Sequence, residues 1–368
     1  MRTVIHFMEM SSTKYGGLER FMISLIKHNY QKYNFVLVYD EAPASEDYVN
    51  ELNRYEVQII VKGKARLPFI SDLSTYCNII RKHRPEIVHF HFSTRHFYNA
   101  LLAKCLGVKK IYKTQHSCIT NGLKQVNKFS DLSLKQKFLS LWRLGIMSYT
   151  RVFFVSEYTL KQFSNIYGPS NKYVQVYLGI EKTESVRAID RVDLKIDDTK
   201  KVLLSILFAN PIKGADVLIR ALAKTDDCVL MLIGLDDSLY TEELKAMARQ
   251  LGVYDRIRWI GIVDEVAPYI KISDIYIQPS RTEALSLAAC EAMAYAKPVI
   301  GSNIGGLPEA SSIVFRPEDE DELSVCINQL LHDDLLYERL SAEAQERFRL
   351  KFGLNNAIVK YTDVYNED

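Results

Sequence analysis

The stretch that decides the fold is Ser273 to Glu309, SDIYIQPSRTEALSLAACEAMAYAKPVIGSNIGGLPE. It begins with a short apolar run, Ile275 to Ile277, which predicts a buried strand because the run is brief and ends at a proline. The residues from Ala284 to Ala296 are rich in Ala, Leu and Met and predict a helix. Pro298 ends that helix, and Val299-Ile300 begins another strand. A strand, a helix and a strand in this order indicate a parallel α/β sheet.

Two glutamates mark this strand–helix–strand unit. Glu283 lies at the turn from strand to helix, at the strand end where open α/β sheets bind ligands, and Glu291 lies about two turns into the predicted helix. Eight residues of helix rise about 12 Å, roughly the span from a sugar across a diphosphate to a ribose. A carboxylate accepts two hydroxyl hydrogen bonds, so each glutamate suits a sugar diol. Either could instead be an ordinary helix acid, but Glu291 interrupts an apolar helix, where an unpaired carboxylate is costly.

The spacing of these residues resembles a known signature. Glu283, seven residues, Glu-Ala-Met-Ala from Glu291, Lys-Pro-Val-Ile from Lys297 and Gly-Gly-Leu-Pro-Glu ending at Glu309 are similar to the C-terminal signature of glycosyltransferase family 4. The resemblance implies a retaining transferase of the GT-B fold, with two Rossmann-like, doubly wound domains facing a central cleft and a C-terminal helix crossing back to the N-terminal domain. The residues that we expect to bind the donor in this half are Arg281, Glu283, Ala284, Leu285, Ser286, Leu287 and Glu291.

Length and composition agree with two domains. The chain has 368 residues, of which 48% are hydrophobic and 25% charged, as in ordinary globular proteins. The resemblance implies an acceptor-binding domain at 1–183, a donor-binding domain at 184–350, and a helix at 351–368 that packs back on the first domain. The six cysteines include no CxxC pair, so neither a zinc site nor a redox pair is supported and a reducing compartment is favoured.

Two phosphate-binding candidates lie elsewhere in the chain. Gly16-Gly17, between the first predicted strand and helix, would let backbone approach a phosphate at the helix N-terminus, although an ordinary turn explains the pair equally well. The resemblance gives Gly16 and Gly17 a donor-facing role and puts Lys213 on the donor diphosphate. The family carries an arginine five residues before that lysine, where this chain has Phe208. Either another basic residue, Arg281, substitutes for it, or the affinity for the donor is weaker.

Three histidines end predicted strands. His116 closes Thr114-Gln115-His116, which resembles the family's Thr-x-His, whose histidine reaches the donor sugar. His89 and His91 end the strand IVHFH and either line the cleft or pack the strand end. Packing is favoured because the sequence shows no third ligand for a metal.

The charge of the chain is uneven. The net charge is +2, yet the segment from Val61 to Phe153 holds 17 Lys and Arg and three acids, a net charge of +14 that leaves −12 for the rest. This uneven charge is informative about which partners the protein binds and not about its fold. Within the segment, apolar residues repeat at helical spacing beside basic ones: Leu134, Phe138, Leu141, Trp142 and Met147, with Lys135, Lys137 and Arg143. They predict either a helix packed on the sheet or a basic aromatic surface for an anionic membrane or acceptor.

The N-terminal apolar run, Val4 to Phe7, is too short for a signal peptide, and no segment reaches the length of a membrane span. We therefore expect a cytoplasmic protein, either free or peripheral at the inner membrane face, that binds no nucleic acid.

The implied chemistry is transfer of a sugar from a nucleotide-diphosphate-sugar to a glycan or lipid-linked acceptor in cell-surface polysaccharide biosynthesis. Glu283, His116 and Lys213 are the catalytic candidates. We expect no metal, because Asp319-Glu320-Asp321 begins a surface helix, where acids favour the helix dipole. The negative charge of the leaving diphosphate would then be stabilised by Lys213, helix N-termini and the Gly16-Gly17 loop.

Two other functions fit the same architecture. One is a nucleotide-sugar epimerase, which needs no acceptor. The other is a non-catalytic sugar-nucleotide-binding protein, which the missing arginine at Phe208 suggests. A dehydrogenase is disfavoured because no Gly-x-Gly-x-x-Gly follows a strand.

Overall fold

The computed structural model describes residues 1–10, 12, 15–63, 70–92, 96–121, 124–134, 136–137, 147–183, 188–208, 210–226 and 228–367. The chain divides into two compact units. The first unit comprises Met1–Asn121, Val126–Gly179 and Leu354–Asp368, and the second comprises Gly122–Gln125 and Ile180–Gly353. Three residues of the predicted apolar stripe, Phe138, Leu141 and Trp142, lie outside the described part of the chain.

The first unit is built on a parallel sheet of seven strands. In chain order the strands of this unit are β1 (Arg2–Phe7), β2 (Tyr33–Tyr39), β3 (Gln58–Val61), β4 (Ile87–Phe90), β5 (Lys110–Gln115), β6 (Thr120–Asn121), β8 (Arg151–Phe154) and β9 (Tyr173–Gln175). The short strand β7 (Lys124–Gln125), which follows β6 in the chain, belongs to the second unit. The sheet order is β3-β2-β1-β4-β5-β8-β9. Its central strands are short apolar runs because helices cover both faces of a parallel sheet.

Among the described residues, five helices connect these strands: α1 (Gly17–Asn29), α2 (Glu46–Arg54), α3 (Ile70–His83), α4 (His96–Cys105) and α5 (Glu157–Tyr167). Helix α1 buries Phe21, Met22, Leu25 and Ile26, which recur at the spacing of one helical face. The amphipathic pattern in the sequence thus gives the packed face directly.

The second unit repeats the architecture with six parallel strands. They are β10 (Lys201–Ile206), β11 (Cys228–Ile233), β12 (Ile257–Gly261), β13 (Ile275–Gln278), β14 (Val299–Ser302) and β15 (Ile313–Phe315), in the order β12-β11-β10-β13-β14-β15. Its helices are α6 (Ala215–Leu222), α7 (Leu239–Gln250), α8 (Ala267–Ile272), α9 (Leu287–Ala294), α10 (Glu320–His332) and α11 (Asp334–Arg347). The predicted pair of parallel α/β domains is confirmed.

The last helix, α12 (Leu354–Asn366), belongs to the first unit although it follows the second in the chain. Asn29 Nδ2 of α1 donates to Thr362 Oγ1 at 2.9 Å, and the Tyr112 hydroxyl of β5 donates to the Val364 carbonyl at 3.0 Å. Tyr361 and Tyr365 of this helix are fully buried. The last helix is therefore part of the core of the first unit. In the described part of the chain, no helix is apolar over a length that would cross a bilayer.

One element differs from the prediction. The helix expected over Ala284 to Ala296 is α9, which spans only Leu287–Ala294. It begins late because the Ser286 hydroxyl accepts a hydrogen bond from the Ala289 amide at 3.2 Å and caps it, and Ala296 has left-handed backbone, with a φ of +57°, after its end. Glu291 is consequently the fifth helical residue, and the 12 Å estimate of its separation from Glu283, which assumed continuous helix, does not apply.

Candidate functional site

The loops after β10 and β13 bring two predicted residues together. These strands are neighbours in the sheet, so their carboxyl ends meet at one edge. Lys213 ends a 3₁₀ turn that the Asn210 side chain caps by accepting from the Ile212 amide at 3.0 Å. From this turn, Lys213 Nζ donates to Glu283 Oε2 at 2.8 Å. A cation and a carboxylate expected on the donor diphosphate and sugar thus form one ion pair, with side chains 21% and 14% exposed.

Polar side chains rising from β13 hold Glu283 in place. The Tyr276 hydroxyl donates to Gln278 Oε1 at 2.6 Å, and Gln278 Nε2 donates to Ser280 Oγ at 2.9 Å. Ser280 Oγ in turn donates to Glu283 Oε2 at 3.3 Å. Because every hydroxyl in this series donates to the next acceptor, the carboxylate is fixed before any ligand arrives.

Two glycines allow the backbone to close around this pair. Gly214 has a φ of +71°, and a Cβ built there would lie 2.0 Å from the Pro279 carbonyl oxygen. At Gly305, with a φ of +57°, a Cβ would lie 1.9 Å from the Glu283 carbonyl oxygen. Both contacts are with backbone, which cannot move aside as a flexible side chain would. Glycine is therefore required where the Lys213 turn meets the end of β13 and where residue 305 meets Glu283.

Arg281 is engaged elsewhere. Its guanidinium donates twice to Asp216, at 2.9 Å on each oxygen, and again to Glu318 Oε2 at 2.8 Å. Hydrogen bonding to Asp216, and then to Glu318, raises the pKa of Arg281 above its usual value. Two carboxylates thus pair with the cation that was expected to replace the family arginine, and Phe208 at that arginine position is 61% exposed.

The remaining predicted donor residues surround the start of α9. Ala284 and Leu285 are buried, while Leu287 and Glu291 are partly exposed. Ser286 Oγ donates to Gln278 Oε1 at 3.1 Å while it caps the helix, so its hydroxyl is used structurally. The first amides of a helix have no partner within the helix, which makes the start of α9 suited to an anion.

In the first unit, the glycine loop has an anchor that the sequence interpretation missed. Gly16 caps α1, and its amide donates to Glu19 Oε2 at 3.1 Å. The other oxygen of the buried Glu19 carboxylate accepts from Ser12 Oγ at 2.8 Å. The signal in the sequence was a glutamate three residues after the cap, the spacing of a capping box. Glu19 thus fixes Gly16 and Gly17, both of which are partly exposed.

His116 follows directly after β5. Its ring stacks on Phe92 with centroids 4.2 Å apart, and its Nε2 lies 3.0 Å from His91 Nδ1. Burial, and then the neighbouring His91 and Lys113, hold the pKa of His116 well below its usual value. The ring is therefore neutral near pH 7 and suits a hydrogen bond rather than a charge interaction.

A third histidine, His6, joins His89 and His91, correcting the expectation that no third ligand was available. One ring nitrogen of each lies within 4.8 Å of the others, a spacing that could hold a metal ion. However, all six ring nitrogens have hydrogen-bond partners: His6 and His91 pair with each other, and the rest with Tyr365, Thr114 and His116. The arrangement therefore fits hydrogen bonding, as the packing interpretation of His89 and His91 expects.

Two family profiles cover most of the chain. The profile described as Glycosyltransferase Family 4 matches residues 15–184, and that described as Glycosyl transferases group 1 matches residues 186–347. N-acetyl-alpha-D-glucosaminyl L-malate synthase of Bacillus anthracis is 26% identical over 306 residues, which are 79% of this chain and 77% of the relative. A GDP-mannose-dependent alpha-(1-6)-phosphatidylinositol monomannoside mannosyltransferase of Mycobacterium tuberculosis is 29% identical over 206 residues, about half of each chain (50% and 52%).

The fold is also found in solved structures. The structure of Anabaena Alr3699/HepE in complex with UDP-glucose superimposes with a TM-score of 0.77 at 16% identity, covering 99% of both chains. A glycosyltransferase from Rickettsia africae gives a TM-score of 0.77 at 20% identity, covering 99% of this chain and 97% of the other. These similarities confirm the predicted GT-B fold.

Proposed function

Because the chain belongs to the group 1 glycosyltransferases of the family 4 type, we propose that it is a retaining enzyme that uses a nucleoside-diphosphate sugar. The sugar passes to a glycan or lipid-linked acceptor in cell-surface polysaccharide biosynthesis. The observation that carries the proposal is the ion pair of Lys213 and Glu283 at the carboxyl edge of β10 and β13. A cation beside a carboxylate supports the proposal because a sugar diphosphate offers a phosphate to the cation and hydroxyls to the carboxylate.

Each partner of the pair has a separate task. Lys213 stabilises the negative charge that develops on the leaving diphosphate, together with the first amides of α9. Glu283 accepts hydrogen bonds from sugar hydroxyls once the lysine turns toward the phosphate. Glu291 binds the ribose, and His116 contacts the sugar. With these groups the reaction needs no metal ion.

The named relatives support the donor class more than the acceptor. The Anabaena structure holds UDP-glucose, and the mycobacterial relative is named as GDP-mannose-dependent. The acceptors in the relatives' names, L-malate and a phosphatidylinositol mannoside, differ in kind. The proposal therefore specifies a nucleoside-diphosphate sugar as the donor class and a glycan or lipid-linked molecule as the acceptor class.

A donor screen tests this proposal. Purified protein is incubated with a panel of nucleotide sugars and a metal chelator, and released nucleoside diphosphate is measured. We expect slow release from one donor, because water replaces the missing acceptor, and a large loss of release in Glu283→Gln. Mass spectrometry of the products and of extracted lipid-linked glycans follows transfer.

The other outcomes identify the alternative functions. An epimerised nucleotide sugar without nucleoside diphosphate would indicate an epimerase. Saturable donor binding with no release, even when lipid-linked acceptors are added, would indicate the non-catalytic binder that Phe208 and the engaged Arg281 suggest.

We also propose a peripheral contact with an anionic membrane through the basic segment 61–153. Some of its cations are neutralised, since Lys62 pairs with Asp40 and Lys110 with Glu86. Five exposed cations of this segment precede the neighbouring strands β4 and β5, whose starts lie at the same edge of the sheet: Arg81, Lys82, Arg84, Lys104 and Lys109. Each cation near an anionic surface contributes about 1 kcal/mol.

Vesicle sedimentation tests the membrane contact. Vesicles containing anionic phospholipid are expected to retain the protein at low salt and release it at high salt, since the attraction is screened. The double variant Arg81→Glu, Lys82→Glu should lose most binding. Its matched control reverses two exposed lysines of the second unit, Lys182→Glu and Lys195→Glu. Equal binding by both variants would exclude this edge as the docking surface.

A further inference from the structure

Seven side chains of the first unit form one continuous series of hydrogen bonds, which we call the histidine series. In order they are Tyr361, Thr114, His89, Tyr365, His6, His91 and His116. The successive distances are 3.2, 2.8, 2.7, 3.4, 3.0 and 3.0 Å. One end lies in α12 and the other is the histidine expected to contact the sugar.

The fold dictates this alignment. His6 and His89 are partners in the register of β1 and β4, and His89 and His91 are two residues apart, so they project from the same face of the sheet. Tyr361 and Tyr365 are four residues apart on α12 and share one helical face. The four imidazoles are neutral, because burial lowers the pKa of all of them and takes that of His91 to about 3.

A neutral imidazole donates through one nitrogen and accepts through the other. A ring that accepts a hydrogen bond from the preceding group must therefore donate one to the next group, and a ring that donates to the preceding group must accept from the next. The whole series has two self-consistent directions, one toward His116 and one away from it. Which direction holds depends on its ends.

The α12 end selects the direction. Tyr361 is fully buried, and within the described residues Thr114 Oγ1 is the hydrogen-bond partner of its hydroxyl. If the series ran away from His116, His89 Nε2–H would donate to Thr114, and the two hydroxyl hydrogens of Thr114 and Tyr361 would share one hydrogen bond. One of them would then be buried without an acceptor, which is costly.

The opposite direction leaves no such defect. Tyr361 donates to Thr114, whose hydroxyl donates to His89 Nε2. His89 Nδ1–H then donates to Tyr365, and the Tyr365 hydroxyl donates to His6 Nε2. His6 Nδ1–H donates to His91 Nε2, and His91 Nδ1–H donates to His116 Nε2. Every buried hydrogen in the series has an acceptor, and the proton of His116 is left on Nδ1.

We propose that α12 sets the tautomer of His116, so that its Nδ1–H is a fixed hydrogen-bond donor for an oxygen of the transferred sugar. Tyr365, His6 and His91 are positioning residues that act through His116. The tautomer follows from the first unit alone, whereas the sugar contact rests on the proposed function.

Ring ¹⁵N spectra of the full chain test the tautomer directly. The His116 signal is assigned by its loss in His116→Gln. We expect a protonated Nδ1 and an unprotonated Nε2, two states that ¹⁵N shifts separate. A His116 ring protonated on Nε2 would overturn the proposal. The tautomer is measured on the wild-type chain, and the His116→Gln variant serves only for assignment.

Tyr365→Phe separates this role from simple docking of α12. It removes the hydroxyl that donates to His6, so His116 should become a mixture of tautomers. Tyr112→Phe is the matched control, because it also removes a buried hydroxyl bonded to the last turns of α12 but lies outside the histidine series. Identical spectra for the two variants would contradict the proposal.

Turnover provides the second readout. Tyr365→Phe should lower kcat/KM by about tenfold, the size of one neutral hydrogen bond, with nucleoside diphosphate affinity unchanged. Tyr112→Phe should retain wild-type turnover. If the protein releases no nucleoside diphosphate with any donor or acceptor, the proposed function fails, while the ¹⁵N spectra still decide the tautomer.

Discussion

Replacing Lys213 with methionine is expected to lower kcat/KM for the nucleotide sugar by about 10²–10³-fold, the usual effect of removing one group that stabilises transition-state charge. Methionine keeps most of the length of the side chain and removes its charge. The substitution also leaves Glu283 without the cation that lies 2.8 Å from it, so the carboxylate would repel the incoming diphosphate. Nucleoside diphosphate release under steady-state conditions measures the effect.

Lys224→Met is the matched control for this prediction. Lys224 also belongs to the second unit and also pairs with an acid, Asp321, at 2.6 Å, but the pair is exposed. Surface ion pairs contribute little, so turnover should remain near the wild-type value. If the Lys213→Met enzyme were as active as the Lys224→Met enzyme, Lys213 would not stabilise the leaving diphosphate as proposed.

The second large effect is expected on stability. Gly214→Ala should lower the free energy of unfolding by about 2–5 kcal/mol, since it combines left-handed backbone strain with a Cβ that collides with backbone. The new Cβ would lie 2.0 Å from the Pro279 carbonyl oxygen, so the turn that carries Lys213 must move away from β13. Urea denaturation measures the loss, and donor affinity should fall with it.

Gly252→Ala isolates the strain from the collision. Gly252 has a φ of +69°, close to the +71° of Gly214, but nothing lies within 4 Å of a Cβ built there. The backbone strain alone should cost about 1–2 kcal/mol. Equal destabilisation by the two substitutions would show that the turn accommodates the extra carbon and that close approach to Pro279 is not essential.

The sequence predicted the fold well because its signals are local. Short apolar runs, proline stops and the amphipathic face of α1 each depend on neighbouring residues, and all of them gave the correct element. The start of α9 was predicted three residues early because Ala284 and Leu285 are good helix formers. The helix instead begins after Ser286, because the Ser286 side chain accepts a hydrogen bond from the Ala289 amide. This cap outweighs the intrinsic helix propensity of Ala284 and Leu285.

The sequence indicated which residues belong to the site, but not which of them contact one another. Lys213 and Glu283 are 70 residues apart, and only the adjacency of β10 and β13 brings them together. Likewise, Arg281 was predicted as a substitute phosphate ligand because its charge is visible in the sequence, whereas its two carboxylate partners are not. His6 shows no signal of its own, since a histidine in a first strand gains neighbours only through the register with β4.

The placement of α12 has a consequence for how the protein is made. Residues 354–366 are translated after the whole of 180–353, yet they complete the unit to which residues 1–121 belong. Until then His89, Tyr33 and Tyr112 lack their α12 partners and depend on water. Domains usually mature in order of synthesis, but here the half synthesised second can finish first. If translation stopped after residue 353 and before α12, the second unit would be complete, whereas the first unit would lack its last helix.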